Sequence, residues 1–180
     1  MVERVDAYVF VHAFEGRPSE GLGELFGNND GVRFSGRFVG SFGGFAAVDA
    51  PDLETLQSWI DGPYWDAGVR SDWSVVVKSS SLSIPKRRSP DYCALIRVRV
   101  ANGVDPEELL KRLDGHYQDN WEAMGYGAAV VTGGSFDLLV ELGADSLPEL
   151  WNRVRDLRGQ AGVARTATAV AFLPNNGLRR

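Results

Sequence analysis

The hydrophobic positions of this chain fall into short alternating runs and four-residue stripes, most clearly in its second half. Residues 92–100 read Tyr-Cys-Ala-Leu-Ile-Arg-Val-Arg-Val, rich in Val, Ile and Leu, which predicts a buried strand. Asp105-Pro106-Glu107-Glu108 then has the chemistry of a helix start: an N-cap acid, proline in the first turn, and further acids near the positive dipole end. Leu109, Leu113 and Tyr117 follow at four-residue spacing. Residues 126–132 and 135–142 are predicted strands around a turn at Thr132-Gly133-Gly134. Asp145-Ser146 caps a second helix with the stripe Leu147, Leu150, Trp151, Val154 and Leu157. Gly162-Val163 leads into a last strand over 163–172. The order βαββαβ is that of the split-βαβ, or ferredoxin-like, unit, an antiparallel sheet with both helices on one face.

The pattern occurs twice. Gly40-Ser41-Phe42 returns as Gly134-Ser135-Phe136, and at the same offset of 94 Ala50, Leu53 and Leu56 match Ala144, Leu147 and Leu150. Ala67-Gly68-Val69 likewise matches Ala161-Gly162-Val163. The first strands align at a shorter offset, Ala7–Ala13 over Ala94–Val100, and Pro18 corresponds to Pro106. One register held from strand through helix to strand argues for duplication. The expected fold class is α+β: two ferredoxin-like βαββαβ repeats packed as an intramolecular pseudo-dimeric α/β barrel or sandwich, each sheet covering the other's bare face. The expected boundaries are a first repeat at 1–77, a linker at 78–90, a second repeat at 91–173 and a tail at 174–180. Serine, proline and the Lys86-Arg87-Arg88 cluster mark the linker.

Composition narrows the function. The 180 residues carry a net charge of −5. Residues 1–77 hold −7, residues 78–90 hold +4 and residues 91–180 hold −2, so direct nucleic-acid binding by the repeats is not expected. A single cysteine, Cys93, excludes an internal disulfide framework and any multi-cysteine zinc site. Apolar runs are strand-sized, short of a membrane helix, and the acidic start Met1-Val2-Glu3-Arg4-Val5-Asp6 is unlike a secretory signal. A cytoplasmic protein with no membrane partner is expected.

Period-two alternation places candidate chemistry. If Ala7, Val9 and Val11 face the helices, Tyr8, Phe10, His12 and Phe14 face the opposing sheet. The equivalent face of the second repeat carries Leu95, Arg97 and Arg99, beside Asp137, Leu139 and Glu141 from its third strand. Two arginines next to two carboxylates on a covered face form either a polar pocket for a small anionic or zwitterionic ligand or a cross-strand Arg–Glu ladder. His12 and His116 are the two histidines, and nothing has metal-ligand spacing. Cys93 reads as a small buried hydrophobe. Gly21-Leu22-Gly23-Glu24-Leu25-Phe26-Gly27 misses the dinucleotide fingerprint and reads as a glycine-weakened helix. No catalytic residue, metal or cofactor is assigned.

The segment Thr132-Gly133-Gly134-Ser135-Phe136-Asp137-Leu138-Leu139-Val140 resembles the hairpin of the effector-binding domain of Lrp/AsnC-type regulators, as does Gly162-Val163-Ala164-Arg165-Thr166-Ala167-Thr168 further on. The first repeat retains Gly40-Ser41-Phe42 and Gly68-Val69 but has Gly43, Asp72 and Ser74 at the aspartate and threonine positions, as a degenerate copy would. The resemblance implies an amino-acid-like effector bound near Thr132, Gly133, Gly134, Ser135 and Asp137, with homo-oligomerisation. The first strand begins within ten residues, so no helix-turn-helix is expected. The leading expectation is therefore a stand-alone small-molecule-sensing and oligomerisation module linked to transcription regulation. Its alternatives are a dimeric α/β-barrel enzyme of the monooxygenase or haem-binding type, with His12, Arg97 and Arg99 lining the cavity, and a non-catalytic interaction protein.

Overall fold

The structure is a computed structural model that describes residues 5–12, 32–37, 39–41, 43–61, 70–80, 90–117, 126–132 and 134–172. The chain divides into two compact units, Met1–Val76 and Val77–Arg180.

In the second unit, strand β6 (Tyr92–Val100) is followed by helix α2 (Pro106–Tyr117), β7 (Gly127–Thr132), β8 (Leu138–Ala144), α3 (Leu147–Gly159) and β9 (Val163–Phe172). The sheet order is β7-β8-β6-β9 and every pairing is antiparallel. This is the ferredoxin-like order. Ala94, Ile96, Val98 and Val100 of β6 join Leu138, Val140, Leu142 and Ala144 of β8 in one buried cluster with Leu109, Leu113, Leu150, Val154 and Leu157 of the helices. The faces follow from strand alternation, because each of these strands puts every second side chain against the helix layer.

Local chemistry sets the helix ends as the sequence predicts. The Asp105 carbonyl accepts from Leu109 N at 3.0 Å and its carboxylate from Glu107 N at 3.1 Å. Ser146 Oγ accepts from Glu149 N at 3.4 Å. Gly162 has φ of +92°, and a Cβ there would come within 2.9 Å of Arg112 and 3.2 Å of Val104. The positive φ favours glycine at this turn, and Val104 would have to give way to a Cβ, whereas the Arg112 guanidinium is free to swing aside.

Two expectations on α3 need correction. Trp151 and Leu147 are 45% and 41% exposed, outside the buried stripe. Trp151 lies about 90° around the helix from the midline of Leu150, Val154 and Leu157 at 3.6 residues per turn, and Leu147 occupies the first position of the helix. The third strand also starts later than 135, because residues 134–137 form a turn.

The first unit contains β1 (Val5–His12), β2 (Val32–Arg37), a two-residue β3 (Val39–Gly40), β4 (Gly44–Ala50), α1 (Leu53–Asp61) and β5 (Arg70–Ser80). Its order β2-β4-β1-β5 repeats that of the second unit. Asp52 caps α1, accepting from Thr55 N at 2.7 Å, and Leu56 is buried beneath it. Lys78–Ser80 lie within β5, whereas 81–89 of the expected linker lie outside the described residues. The same is true of the helix expected over 21–27 and of the tail from 174. Among the described residues no helix is long and apolar enough to cross a membrane.

Candidate functional site

The face of the second sheet turned away from its helices carries the candidate chemistry. Cys93, Leu95, Arg97 and Arg99 alternate along β6 with the side chains of the helix-side core, and Leu139, Glu141 and Gly143 do so along β8. The register sets Leu95 opposite Glu141, Arg97 opposite Leu139 and Cys93 opposite Gly143. On β7, Gly127 stands opposite Glu141 and Ala129 opposite Leu139. On β9, Ala171, Ala169 and Ala167 stand opposite Cys93, Leu95 and Arg97. Cys93, Leu95, Ala129, Leu139, Ala169 and Ala171 are buried. Glu141 and Arg97 are thus ionisable groups on a floor of apolar and small side chains.

That setting governs their protonation. Burial pushes the Glu141 carboxyl up from 4.5 to about 7, while a hydrogen bond from the Cys93 thiol works in the opposite direction. Cys93 Sγ lies 3.4 Å from Glu141 Oε1. The thiol is itself pushed up by burial and by the neighbouring carboxylate, so it stays protonated and donates. The Arg97 guanidinium carbon sits 5.7 Å from the centre of the Phe136 ring, within cation–π range.

The four charged residues predicted together separate into two places. Arg97 and Glu141 are partly buried on the sheet face. Arg99 is 54% exposed and lies 3.5 Å from Asp137 at the strand end. Asp137 serves the backbone, its carboxylate accepting from Val100 N at 2.8 Å. Its backbone N–H donates to Val98 O at 2.9 Å and its carbonyl accepts from Val131 N at 3.0 Å. It ties the start of β8 to both neighbours.

Of the hairpin residues, Thr132 and Ser135 are exposed, Gly134 is partly buried and Gly133 lies outside the described residues. His12 ends β1 in register with Arg70, and its side chain lies outside the described residues. The Thr166 and Thr168 hydroxyls accept from Arg158 of α3, at 2.9 and 3.4 Å.

A second polar cluster, which sequence reasoning missed, joins α2 to α3. Asp156 receives His116 Nε2 at 2.9 Å, the Tyr117 hydroxyl at 2.8 Å and Gln160 Nε2 at 3.4 Å. Burial pushes its carboxyl up, but the hydrogen bonds from His116, Tyr117 and Gln160 together hold it below the ordinary carboxylate range. Tyr117 packs against Tyr126, ring centres 4.9 Å apart, and the Tyr126 hydroxyl donates to Asp114 at 2.8 Å. Tyr117 and Tyr126 are buried, whereas His116 is exposed. The contacts are those of a clamp between helices. Among the described residues no group of three His, Cys, Asp or Glu could hold a metal ion.

Searches of family models and of curated proteins found no match. Solved structures do match. A chlorite dismutase variant from Candidatus Nitrospira defluvii aligns with a TM-score of 0.59 at 13% identity, over 96% of this chain and 92% of that one. A proposed monooxygenase from Fusobacterium nucleatum aligns with a TM-score of 0.57 at 10% identity, over 97% and 94%. A haem-binding protein from Thermus thermophilus aligns with a TM-score of 0.51 at 12% identity, over 97% and 93%. The fold is therefore the ferredoxin-like α+β fold of chlorite dismutase-like proteins.

This overturns the resemblance to Lrp/AsnC effector-binding domains and the link to transcription regulation, since the structural neighbours are of the chlorite dismutase, monooxygenase and haem-binding kinds. The physical reason is visible in the motif residues. Asp137 anchors a strand start and Thr166 and Thr168 hold Arg158, so the motif reflects how this βαββαβ unit is built. The printed kinds of these neighbours, monooxygenase and haem-binding, are those named in the alternative expectation.

Proposed function

We propose that this chain is a small-molecule enzyme with oxygen chemistry of the monooxygenase kind, its substrate held on the second sheet face by Arg97 and Glu141. The observation that carries the reading is the placing of Glu141 and Arg97 on one sheet face among apolar and small side chains, where burial pushes the Glu141 carboxyl up to about 7. A group with that affinity for protons serves as both acceptor and donor near neutral pH. Arg97 supplies a guanidinium for a carboxylate or other anion, and Leu95, Leu139, Ala129 and Ala169 supply an apolar bed. The matching substrate class is a small organic acid with a hydrocarbon body and an acidic C–H or O–H bond. The neighbours described as a proposed monooxygenase and a chlorite dismutase support oxygen chemistry on this fold. The lone cysteine, a buried free thiol, fits a reducing cytoplasm.

The haem-binding neighbour raises a second reading, which the donor groups of the second unit do not fit. A haem iron takes His, Cys, Met or Tyr as its axial ligand. Among the described residues there, His116 is engaged with Asp156 on the outside of α2. Tyr117 and Tyr126 donate to carboxylates beneath the helices, and Cys93 is a raised, protonated thiol bonded to Glu141. Among the described residues that line a depression of about 570 Å³, Gly103, Val104, Glu108, Lys111 and Arg112, none is such a donor.

The test is oxygen uptake by the purified chain against a panel of small aromatic and aliphatic acids bearing phenol, enol or activated methylene groups. Uptake that Glu141→Gln lowers at least tenfold, and whose KM Arg97→Ala raises, is expected. Activity that appears only after haem is added, or that survives both substitutions, would overturn the proposal.

A further inference from the structure

Glu141 and Cys93 lie 48 positions apart in sequence, yet sheet register makes them diagonal neighbours on one face. Cys93 is paired with Gly143 and Leu95 with Glu141, so the thiol and the carboxyl meet across two adjacent strands. Their 3.4 Å separation is within hydrogen-bond range for sulfur. The surroundings leave the thiol without competition. Opposite Glu141 on β7 is Gly127, and opposite Cys93 are Gly143 and Ala171, none with a polar side chain. Among the described residues the Cys93 thiol is the donor that reaches this carboxyl. Among the described residues, other titratable or charged groups on the same face are Arg97 and Arg99 of β6, Arg165 of β9 and Asp137 beside Arg99 at the start of β8, while the face positions of β7 carry none.

We propose that Cys93 is a positioning residue for Glu141, its thiol holding one carboxylate oxygen so that the other oxygen is presented to a ligand for proton transfer. The inference rests on the reading of Glu141 as the proton-transferring group of the site. In the ionised state the S–H bond points at Oε1 and stabilises the negative charge. In the neutral state the carboxyl proton sits on the ligand-facing oxygen, and no atom of the pair is consumed. A thiol suits this duty because burial keeps it protonated, and because it donates weakly enough for the carboxyl to take back its proton.

The experiment follows the carboxyl itself and needs no ligand. The side-chain carboxyl carbon of Glu141 is titrated by NMR in wild type, Cys93→Ala and Cys93→Ser. Cys93→Ala is expected to move the Glu141 midpoint upward by about half to one pH unit, the worth of one ordinary hydrogen bond from a weak donor. Cys93→Ser, with a stronger donor in nearly the same place, is expected to return the midpoint to the wild-type value or below. An unchanged midpoint in Cys93→Ala, or a serine variant that tracks the alanine one, overturns the proposal. Should either variant fail to fold, the S–H stretching band of the wild-type protein decides the same question. It shifts across the Glu141 midpoint if the thiol donates to the carboxylate, and stays fixed if it does not. A thiol effect on the midpoint without oxygen uptake would discredit the enzymatic reading alone, and uptake without a thiol effect would discredit this inference alone.

Discussion

At the scale of single residues, the two carboxylates Glu141 and Asp156 make opposite contributions to stability as pH changes. Glu141 has its proton affinity raised in the folded state, from 4.5 to about 7, so the folded chain binds the proton more tightly than the unfolded one. Folding stability therefore falls as pH rises through this interval. Glu141→Gln removes the effect. Relative to wild type the variant should gain about 1–3 kcal/mol between pH 4 and pH 8, one pKa unit being about 1.4 kcal/mol, as read by urea unfolding at both values. Asp156 is held low instead. Its stabilisation is present above its unfolded value of 3.8 and is lost as pH falls through the lower folded value. With His116 and Asp156 both about half exposed, screening keeps the effect small. Asp156→Ala should cost about 1 kcal/mol at pH 7, a difference that closes in acid and is measured by the same unfolding series. The sequence made Arg97 and Glu141 legible because strand alternation alone assigns them a face. It could not pair Cys93 with Glu141, since that neighbour relation depends on the register between β6 and β8. Asp137 looked like a ligand residue because a carboxylate that caps backbone N–H groups has the same sequence signature as one that binds an effector.

Among the elements, those of the second unit were legible nearly to the residue wherever a local signal marks the boundary. The strands at Tyr92–Val100 and Val163–Phe172 and the capped starts of α2 and α3 are examples. Boundaries set by tertiary contacts were not, as the late start of β8 shows. Trp151 was misplaced for a related reason, since a large apolar residue on a stripe's flank is indistinguishable from the stripe until the sheet is in place. Gly162 shows a local signal with a precise structural cost. Because φ is +92° and a Cβ would press on Val104, Gly162→Ala should lower stability by about 1–3 kcal/mol. Gly115, with nothing within 4 Å of its Cβ position, lies in the last turn of α2, where alanine should instead stabilise by up to about 0.5–1 kcal/mol. Thermal unfolding of the two variants side by side checks both directions.

For the whole molecule, the duplication visible as an offset of 94 is matched by two units with one strand order, β1 beside β4 in the first and β6 beside β8 in the second. The order was legible because the hydrophobic pattern and turn chemistry repeat. The identity of the relatives was not, since the aligned structures share only 10–13% of their residues with this chain. At such distance the shared βαββαβ frame shows the fold alone, so a hairpin motif that belongs to the frame is a poor guide to chemistry. On the proposed function, small organic acids bind on the second sheet face at Glu141 and Arg97. The most direct measurement is methyl NMR of the full chain titrated with the acids that support oxygen uptake. Shifts should concentrate at Ala129, Leu139 and Ala169 on that face, leave Ala94 and Val154 on the helix side in place, and vanish in Arg97→Ala. Shifts centred on Thr132 and the hairpin instead, or a pattern unchanged by Arg97→Ala, would contradict it.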